Sequence, residues 1–596
     1  MQPVDYTTLT AACSELRATW VPGRTEQVYQ RDRYTIAIAL RTLNGRGWLT
    51  ICWHPQAARI CIGDPPPRVP DTFTFSDQLR HQLGGFALIA IETIAPWERV
   101  LDLQFAKRPG EPPTWHLYVE IIGKYSNLIL TDADNLIVTT AHQVSNQQSS
   151  VRTIQTGQPY ELPPALTGTS PSLTESYQSW QERVSLIPGA VANQLLKSYR
   201  GLSPTLARSM VQAAGLDPKQ STENLEESDW QNLFQRWQQW LQTLLNASNF
   251  STDNLKPANL KPANLFQPGW TKQGYTVMDW GIVKPAKNIQ TLLNAYYTNQ
   301  FNQHEFSRLH NQLTQKLNNN LRKLRQKASS FKERLQQSDQ ADQSREKADL
   351  LMAYLQDWQP GMKSITLPDF ETNQPVKIPL NPEKNAVQNA QAFYKRHQKL
   401  KRTRDAVEPL LKEVQDEIQY LEQVEASLTQ LNTYNTLEDL QTLQEIREEL
   451  IGQGYLEASA QRSRNLSDVS QPYRYQTPSG FELLIGRNNR QNDQLTFRTA
   501  GDYDLWFHTQ EIPGSHVLLR LEPGTVADPA DLQFAADLAA YNSRGCQSEQ
   551  VPVVYTKPKY VYKPKGAKPG MAIYKHEQIL WGRPDQGRDY VTNPHG

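Results

Sequence analysis

The stretch that decides the architecture is FSRLHNQLTQKLNNNLRKLRQKASSFKERL, residues 306–335. Phe306, Leu309, Leu313, Leu317, Leu321, Leu324, Ala328, Phe331 and Leu335 step by three and four, with extra four-residue stepping between Leu309 and Leu321 that acts as a local stutter. That spacing predicts one long helix with a single apolar seam. Lys316, Arg322, Lys323, Arg325, Lys327, Lys332, Glu333 and Arg334 surround the seam, so the outer face is charged and mostly basic. A second run, Val407, Leu411, Val414, Ile418, Leu421, Val424 and Leu428, repeats the pattern. The segment between them, SITLPDFETNQPVKIPLNP (364–382), alternates apolar residues and carries helix-breaking prolines. The reading is an antiparallel coiled-coil hairpin over 290–455 with a β-like tip at 359–382. Each helix would have roughly 60 residues and a length on the order of 90 Å. An intermolecular coiled coil is the competing arrangement, but a hairpin covers the seam within one chain.

Outward from the arm, the chain changes character on both sides. Residues 1–170 contain short β-like runs, YTIAIALR (34–41), WLTICW (48–53) and TWHLYVEIIG (114–123), and read as an α+β domain. LPPALTGTSPSLTES (162–176) marks a linker. Over 177–250, helical patterns flank Gly201-Leu202-Ser203-Pro204 and stop at Gly215, as a helix-hairpin-helix would. Such a unit contacts phosphates through N–H groups at a helix start; an ordinary helical corner is the other reading. LKPANLKPAN (255–264) duplicates directly and reads as a surface loop. From 471 to 596 strands and turns return as a second α+β domain. The fold class is therefore multidomain α+β.

With 596 residues the chain exceeds what one core supports. Its 62 Lys and Arg against 61 Asp and Glu give a net charge of +1, which conceals local asymmetry. Near the C-terminus Tyr555, Tyr560, Tyr562, Tyr574 and Trp581 interleave with Lys557, Lys559, Lys563, Lys565, Lys568, Lys575 and Arg583, against the single acid Glu577. Such a strip pairs phosphates with cations and offers rings to bases; a solvated lysine-rich edge strand is the bland alternative. The four cysteines form no CxxC or Cys/His cluster, so no metal site is expected. The first residues have no basic n-region and no apolar stretch approaches the roughly 20 residues of a membrane span, so a cytoplasmic protein without membrane contact is expected. Walker A, dinucleotide, HExxH and nucleophile-elbow motifs are absent, and no cofactor is expected. Asp504, His508, Ser515 and His516 are the best catalytic types, yet a buried, hydrogen-bonded His508 beside Trp506 is the plainer reading.

Several stretches together resemble the NFACT family along the whole chain. They are Asp5, GRTEQVYQ (23–30), VEIIGKYSNLILTDADNLI (119–137), the Gly157/Tyr160/Pro163 ending, ADLLMAYL (348–355) and LNPEKNAVQNAQAFYKRHQKLKR (380–402). IGRNNRQND (485–493), DLWFH (504–508) and PGSHV (513–517) resemble the family's RNA-binding module. The resemblance implies binding to the rRNA of a stalled large ribosomal subunit that still holds a peptidyl-tRNA nascent chain. It also implies recruitment of charged tRNA, alanyl in bacteria, for C-terminal tailing without mRNA that marks the peptide for degradation. The ribosome would perform the peptide-bond chemistry, so no enzyme of its own is implied, and a small RNA-binding quality-control protein would be a further partner. Carried onto this chain, the tRNA contact falls on Asp5, Glu98 and Arg99, and RNA contact on Arg487, Asn488, Trp506, His508, His516, Lys557, Lys559, Lys563 and Lys565. Where the family has an Asp-Arg pair, PWERVLD (96–102) places Glu98 and Arg99, which moves the carboxylate out by one methylene. A surface ion pair is the other reading of these two residues. Two other classes stay open: a surface adhesin, since some relatives are described as binding fibronectin, and a nucleic-acid-processing enzyme like the DNA-repair glycosylases, although Gln2 follows Met1 where their catalytic residue would stand.

Overall fold

The computed structural model describes all residues except 68–69, 150, 165–166, 250–264, 339, 458–468 and 593–596, so the duplicated LKPANLKPAN lies outside the described residues. The chain forms two compact units, Met1–Phe301 and Asn302–Gly596.

The first unit opens with helix α1 (Tyr6–Trp20), followed by strands β1 (Gly23–Asp32), β2 (Thr35–Thr42), β3 (Gly45–Cys52) and β4 (Arg59–Gly63). Helix α2 (Thr74–Leu83) precedes β5 (Ala87–Thr93), β6 (Val100–Ala106), β7 (Trp115–Glu120), β8 (Asn127–Asp132) and β9 (Ile137–Thr140). The nine strands make one antiparallel sheet in the order β4-β3-β2-β1-β5-β6-β7-β8-β9. The predicted β-runs fall on β2, β3 and β7. Ile36 through Leu40 of β2 are all buried, so this strand is covered on both faces, and a continuous apolar run suits it better than an alternating one. Four helices follow: α3 (Tyr177–Ser185), α4 (Val191–Ser198), α5 (Pro204–Ala213) and α6 (Glu227–Asn249). Gly201-Leu202-Ser203-Pro204 separates α4 from α5, with Ser203 as N-cap and Pro204 at the first helical position. Gly215, at φ 85°, turns the chain out of α5. Trp180, Trp230, Trp237 and Trp240 of these helices are buried in the same core as the sheet. A small three-stranded sheet of β10 (Gly269–Trp270), β11 (Tyr275–Thr276) and β12 (Lys284–Pro285) completes the unit, and helix α7 (Ile289–Ser338) starts there.

In the second unit α7 continues the arm and is followed by α8 (Gln340–Ala353), the strand pair β13 (Ser364–Pro368) and β14 (Pro375–Pro379), and α9 (Ala386–Gln430). Contacts across the arm run antiparallel: His310 Nε2 donates to the Leu428 carbonyl at 3.1 Å, Arg325 pairs with Glu422 at 2.8 Å, and His397 Nδ1 donates to the Ala341 carbonyl at 3.0 Å. The predicted coiled coil thus closes within one chain. The first arm is helical on both sides of residue 339, 50 residues in α7 and 14 in α8, in line with the expected length, whereas α9 has 45 residues, about 68 Å, and is shorter than expected. The chain after the tip regains helix only at the Asn385 capping box. At the other end α9 stops at Leu431, and a third helix, α10 (Leu437–Gly452), folds back. Leu440, Leu443, Ile446 and Leu450 of α10 join Phe306 to Leu321 and Tyr420 to Leu431 in one core. The tip pairs Ile365 with Ile378 and Leu367 with Val376, over a core of its own with Ala348, Leu351 and Ala390.

The unit ends in β15 (Tyr473–Gln476), β16 (Glu482–Ile485), α11 (Asn489–Gln494), β17 (Leu505–Thr509), β18 (Val517–Leu519), α12 (Pro529–Tyr541), β19 (Val551–Thr556), β20 (Val561–Tyr562), β21 (Ile573–Tyr574), β22 (Gln578–Gly582) and α13 (Pro584–Thr592). Six strands form a sheet in the order β15-β16-β18-β17-β19-β22, with α12 packed on one face, and β20 pairs with β21 as a small hairpin. Among the described residues no helix is long and apolar enough to cross a membrane.

Candidate nucleic-acid interface

In the first unit two of the three residues expected at a tRNA contact, Asp5 and Arg99, line a cleft of about 340 Å³. Asp5 is the N-cap of α1: one carboxylate oxygen accepts the Thr8 N–H at 2.8 Å and the other accepts the Ser203 hydroxyl at 2.5 Å. Ser203 in turn caps α5 through the Leu206 N–H at 3.0 Å. One carboxylate therefore ties together two helix starts, whose first-turn N–H groups carry partial positive charge at the cleft. Arg99 donates from Nη1 to the Val4 carbonyl at 3.0 Å. Burial lowers its pKa below the ordinary value, while the Asp5 and Glu98 carboxylates oppose that shift, and it stays a cation at neutral pH. Trp97 sits beside this pair with a left-handed φ of 69° and packs on Tyr6 at 5.0 Å and Trp240 at 5.5 Å. The close approach demands Gly201: a Cβ there would lie 2.5 Å from the Trp97 ring, at a φ of +85°. Of the three expected residues, Asp5, 8% exposed, and the half-buried Arg99 line the cleft, whereas Glu98, also half-buried, lies next to Arg99 in the chain and is not part of the lining.

In the second unit the residues expected to bind RNA separate into two sets. Arg487 is almost enclosed: its guanidinium binds Glu438 at 2.8 Å and Asp439 at 3.2 Å and lies 3.9 Å over the Tyr473 ring. Asn488 caps α11 and donates to Glu445 at 2.6 Å, Asn489 donates to Glu449 at 3.1 Å, and Arg490 reaches Glu448 at 3.4 Å. The motif Arg487 to Arg490 is thus matched, residue for residue, by acids on α10. Nothing in the motif itself announces this; the signal lay in α10, where Glu438, Asp439, Glu445, Glu448 and Glu449 recur at helical spacing.

Trp506 and His516 are also internal, at 1% and 2% exposure. Trp506 Nε1 donates to Thr496 Oγ1 at 3.0 Å, and His516 Nδ1 lies 2.6 Å from the same hydroxyl. His508 stacks on Trp506 with ring centroids 5.7 Å apart, and burial pulls its pKa down to about 4; that of His516 falls well below the ordinary value, also by burial and then by His508. Both rings are neutral at pH 7. Asp504 binds Arg520 at 3.0 Å and accepts the Gly501 N–H at 2.8 Å, so Asp504, His508, Ser515 and His516 are not assembled as a charge-relay set.

The exposed set lies on the loop 557–577, which bears β20 and β21. Lys557, Lys559 and Lys565 are exposed and enter no ion pair among the described residues, Tyr562 is 48% exposed, and Lys563 pairs with Asp493. On the edge strand β22, Ile579 and Trp581 are 51% and 56% exposed. The arrangement offers cations and apolar rings on one loop and its neighbouring edge, with no acid matched to three of the lysines.

Comparison with known proteins gives the following. Residues 5–468 match the family model described as NFACT N-terminal and middle domains, and residues 471–575 match that of the NFACT protein RNA binding domain. A Bacillus subtilis (strain 168) protein named Rqc2 homolog RqcH is 30% identical over 583 residues, covering 96% of this chain and 96% of its own. The protein of the same name from Streptococcus suis (strain 05ZYH33) is 30% identical over 591 residues, covering 96% and 97%. Among solved structures, the C-terminal part of the fibronectin/fibrinogen-binding protein from Streptococcus suis is 30% identical and covers 48% of this chain and 98% of its own, with a TM-score of 0.37.

Proposed function

We propose that this chain, which belongs to the NFACT family, acts in ribosome quality control as a protein that binds the large ribosomal subunit after stalling and recruits charged tRNA to it. The observation that carries the reading is that relatives named Rqc2 homolog RqcH align with it over nearly the full length of both chains. The RNA-binding domain within 471–575 supplies RNA contact, through Lys557, Lys559 and Lys565, which no acid among the described residues neutralises. The cleft of the first unit supplies the tRNA contact: Arg99 offers a charged fork suited to a phosphate or a base edge, Glu98 lies beside it, and Asp5 fixes the backbone that carries Val4.

In this reading the peptidyl-tRNA on the subunit receives alanine from the recruited tRNA, and the tail marks the nascent chain for degradation. Peptide-bond formation belongs to the ribosome, the protein contributes no catalytic group, and it works in the cytoplasm, alongside a small RNA-binding partner. Glu98 in place of the family's Asp changes the reach of the carboxylate by one methylene, which bears on tRNA choice.

The test is co-sedimentation of the full chain with large subunits from a stalled translation extract, followed by sequencing of the bound tRNA. The expected result is one dominant tRNA in the large-subunit fraction, lost in Arg99→Ala while the protein still sediments with the subunit. A chain that stays at the top of the gradient overturns the reading; equal loss of tRNA and subunit in the variant overturns the division of roles.

A further inference from the structure

The loop 557–577 has little of its own to hold it in place. Its hairpin comprises two residue pairs, Val561 with Tyr574 and Tyr562 with Ile573, and so short a ladder is marginal in water. Val561, Ala572 and Tyr574 pack beneath it, on Trp506 and Val554. Its order must come from tethers. Asp493 takes two of them, the Lys563 ammonium and the Gly570 N–H at 3.0 Å. Thr556 Oγ1 holds the far end of the loop by donating to the Lys575 carbonyl at 2.9 Å. A further tether is of another kind. Lys568 leaves the loop and places its ammonium 4.8 Å from the centroid of the Tyr420 ring and 4.6 Å from that of Tyr455, bonded also to the Tyr455 hydroxyl.

Both rings are set independently of the lysine. Tyr420, on α9, is fully buried and donates its hydroxyl to Glu449 at 2.7 Å. Tyr455 follows the left-handed Gly454 (φ 79°) that ends α10, and its N–H bonds back to the Leu450 carbonyl at 2.9 Å, a Schellman closure that fixes the backbone. The two rings lie 5.8 Å apart at 28°, a clamp for one cation. Lys557, Lys559 and Lys565, by contrast, are exposed.

We propose that Lys568 is a latch: it holds the lysine-bearing loop to the base of the helical arm and so positions Lys557, Lys559 and Lys565 for RNA, without touching RNA itself. The RNA half of this statement rests on the proposed function; the latch does not.

The experiment uses the full chain with Lys568→Met, Lys568→Arg, Tyr455→Leu and the Lys568→Met/Tyr455→Leu double variant. Amide hydrogen exchange over 561–574 is expected to quicken about tenfold in Lys568→Met and in Tyr455→Leu, with no further gain in the double variant, and to return close to the parent rate in Lys568→Arg, which keeps the cation on the rings. Affinity for a single-stranded RNA probe should fall in step with loop opening, while the slope of log K against log salt stays that of the parent. Unchanged exchange in Lys568→Met overturns the latch. So does a shallower salt slope in Lys568→Met with parent affinity in Tyr455→Leu, because that pair of results makes Lys568 a phosphate contact. If the parent chain binds no RNA, the RNA reading falls alone, and the exchange rates still decide the latch.

Discussion

Replacing Arg487 by Met separates two uses of a basic residue in an RNA-binding domain. Its side chain is 7% exposed and that of its partner Asp439 is 8% exposed, whereas Glu438 is 44% exposed. Removing the guanidinium strands Asp439. The cost of an unpaired buried charge reaches about 3–5 kcal/mol, but Asp439 also accepts the Asn435 and Thr436 N–H groups at 2.9 and 2.8 Å, so the lower part of that range is expected. The half-exposed Glu438 pair adds under about 1 kcal/mol, and the loss of the contact over Tyr473 about 1 kcal/mol more. Met retains the packing of the aliphatic stem. The total is about 4–5 kcal/mol, or roughly 8–15 °C in the unfolding midpoint of a unit this large. Scanning calorimetry of the full chain is the assay, with RNA titration at two salt concentrations beside it. Asp439→Asn in the Arg487→Met background should recover part of the loss, since the stranded charge is gone. A midpoint within about 2 °C of the parent, together with a salt slope reduced by about one contact, would refute the reasoning and make Arg487 an RNA contact.

Asp5→Ala unties both helix starts and leaves the Ser203 hydroxyl and Thr8 N–H of the buried junction without their acceptor; a loss of about 2–3 kcal/mol is expected, read from the midpoint of the first unit. Lys557→Gln/Lys559→Gln/Lys565→Gln should leave the midpoint unchanged and reduce the salt slope for single-stranded RNA by about 2, at about 0.7 per phosphate; an unaltered slope would place RNA elsewhere. His508, with a folded pKa of about 4 against an ordinary 6.5, stays neutral where the unfolded chain takes a proton. Stability present above pH 6.5 therefore falls as pH drops through this window, by about 3 kcal/mol at pH 4, with His516 acting in the same direction. His508→Phe should flatten the midpoint profile between pH 7 and 4.5, and parallel profiles for the two proteins would count against it.

The arm was legible because its signal is repetitive and local. Leucines at three- and four-residue steps leave one seam, and two such seams in one chain close on each other. What could not be read was where the seam thickens: Leu440, Leu443, Ile446 and Leu450 lie on α10, outside both runs, and only the tertiary turn after Leu431 brings them to it. The β-runs of the first unit were legible for the same reason, since Ile36 to Leu40 form a short apolar block bounded by turns. Their order was not, because β5 beside β1 is a pairing across more than fifty residues with no local mark. In the cleft, Glu98 and Arg99 could be singled out by resemblance. The role of Asp5 as a double cap depends on Ser203, almost two hundred residues away.

The net charge of +1 conceals local asymmetry, and the fold shows where it lies. Glu438, Asp439, Glu445 and Glu449 face inward onto Arg487, Asn488 and Asn489, and Asp493 holds Lys563. These acids serve to join α10 to the domain that follows: Glu438 and Asp439 are matched by the Arg487 cation, and Glu445 and Glu449 are hydrogen-bonded to Asn488 and Asn489. Lys557, Lys559 and Lys565 of the 557–577 loop have no such counterpart among the described residues, so their field extends to solvent over about a Debye length, 8 Å at physiological salt. A chain balanced in composition thereby presents a basic face in one place, because its acids and its cations do different jobs: the acids of α10 hold the RNA-binding domain to the arm, and the exposed lysines of the loop are left free to act on solvent and on any anion that approaches, which is the property the proposed RNA contact draws on.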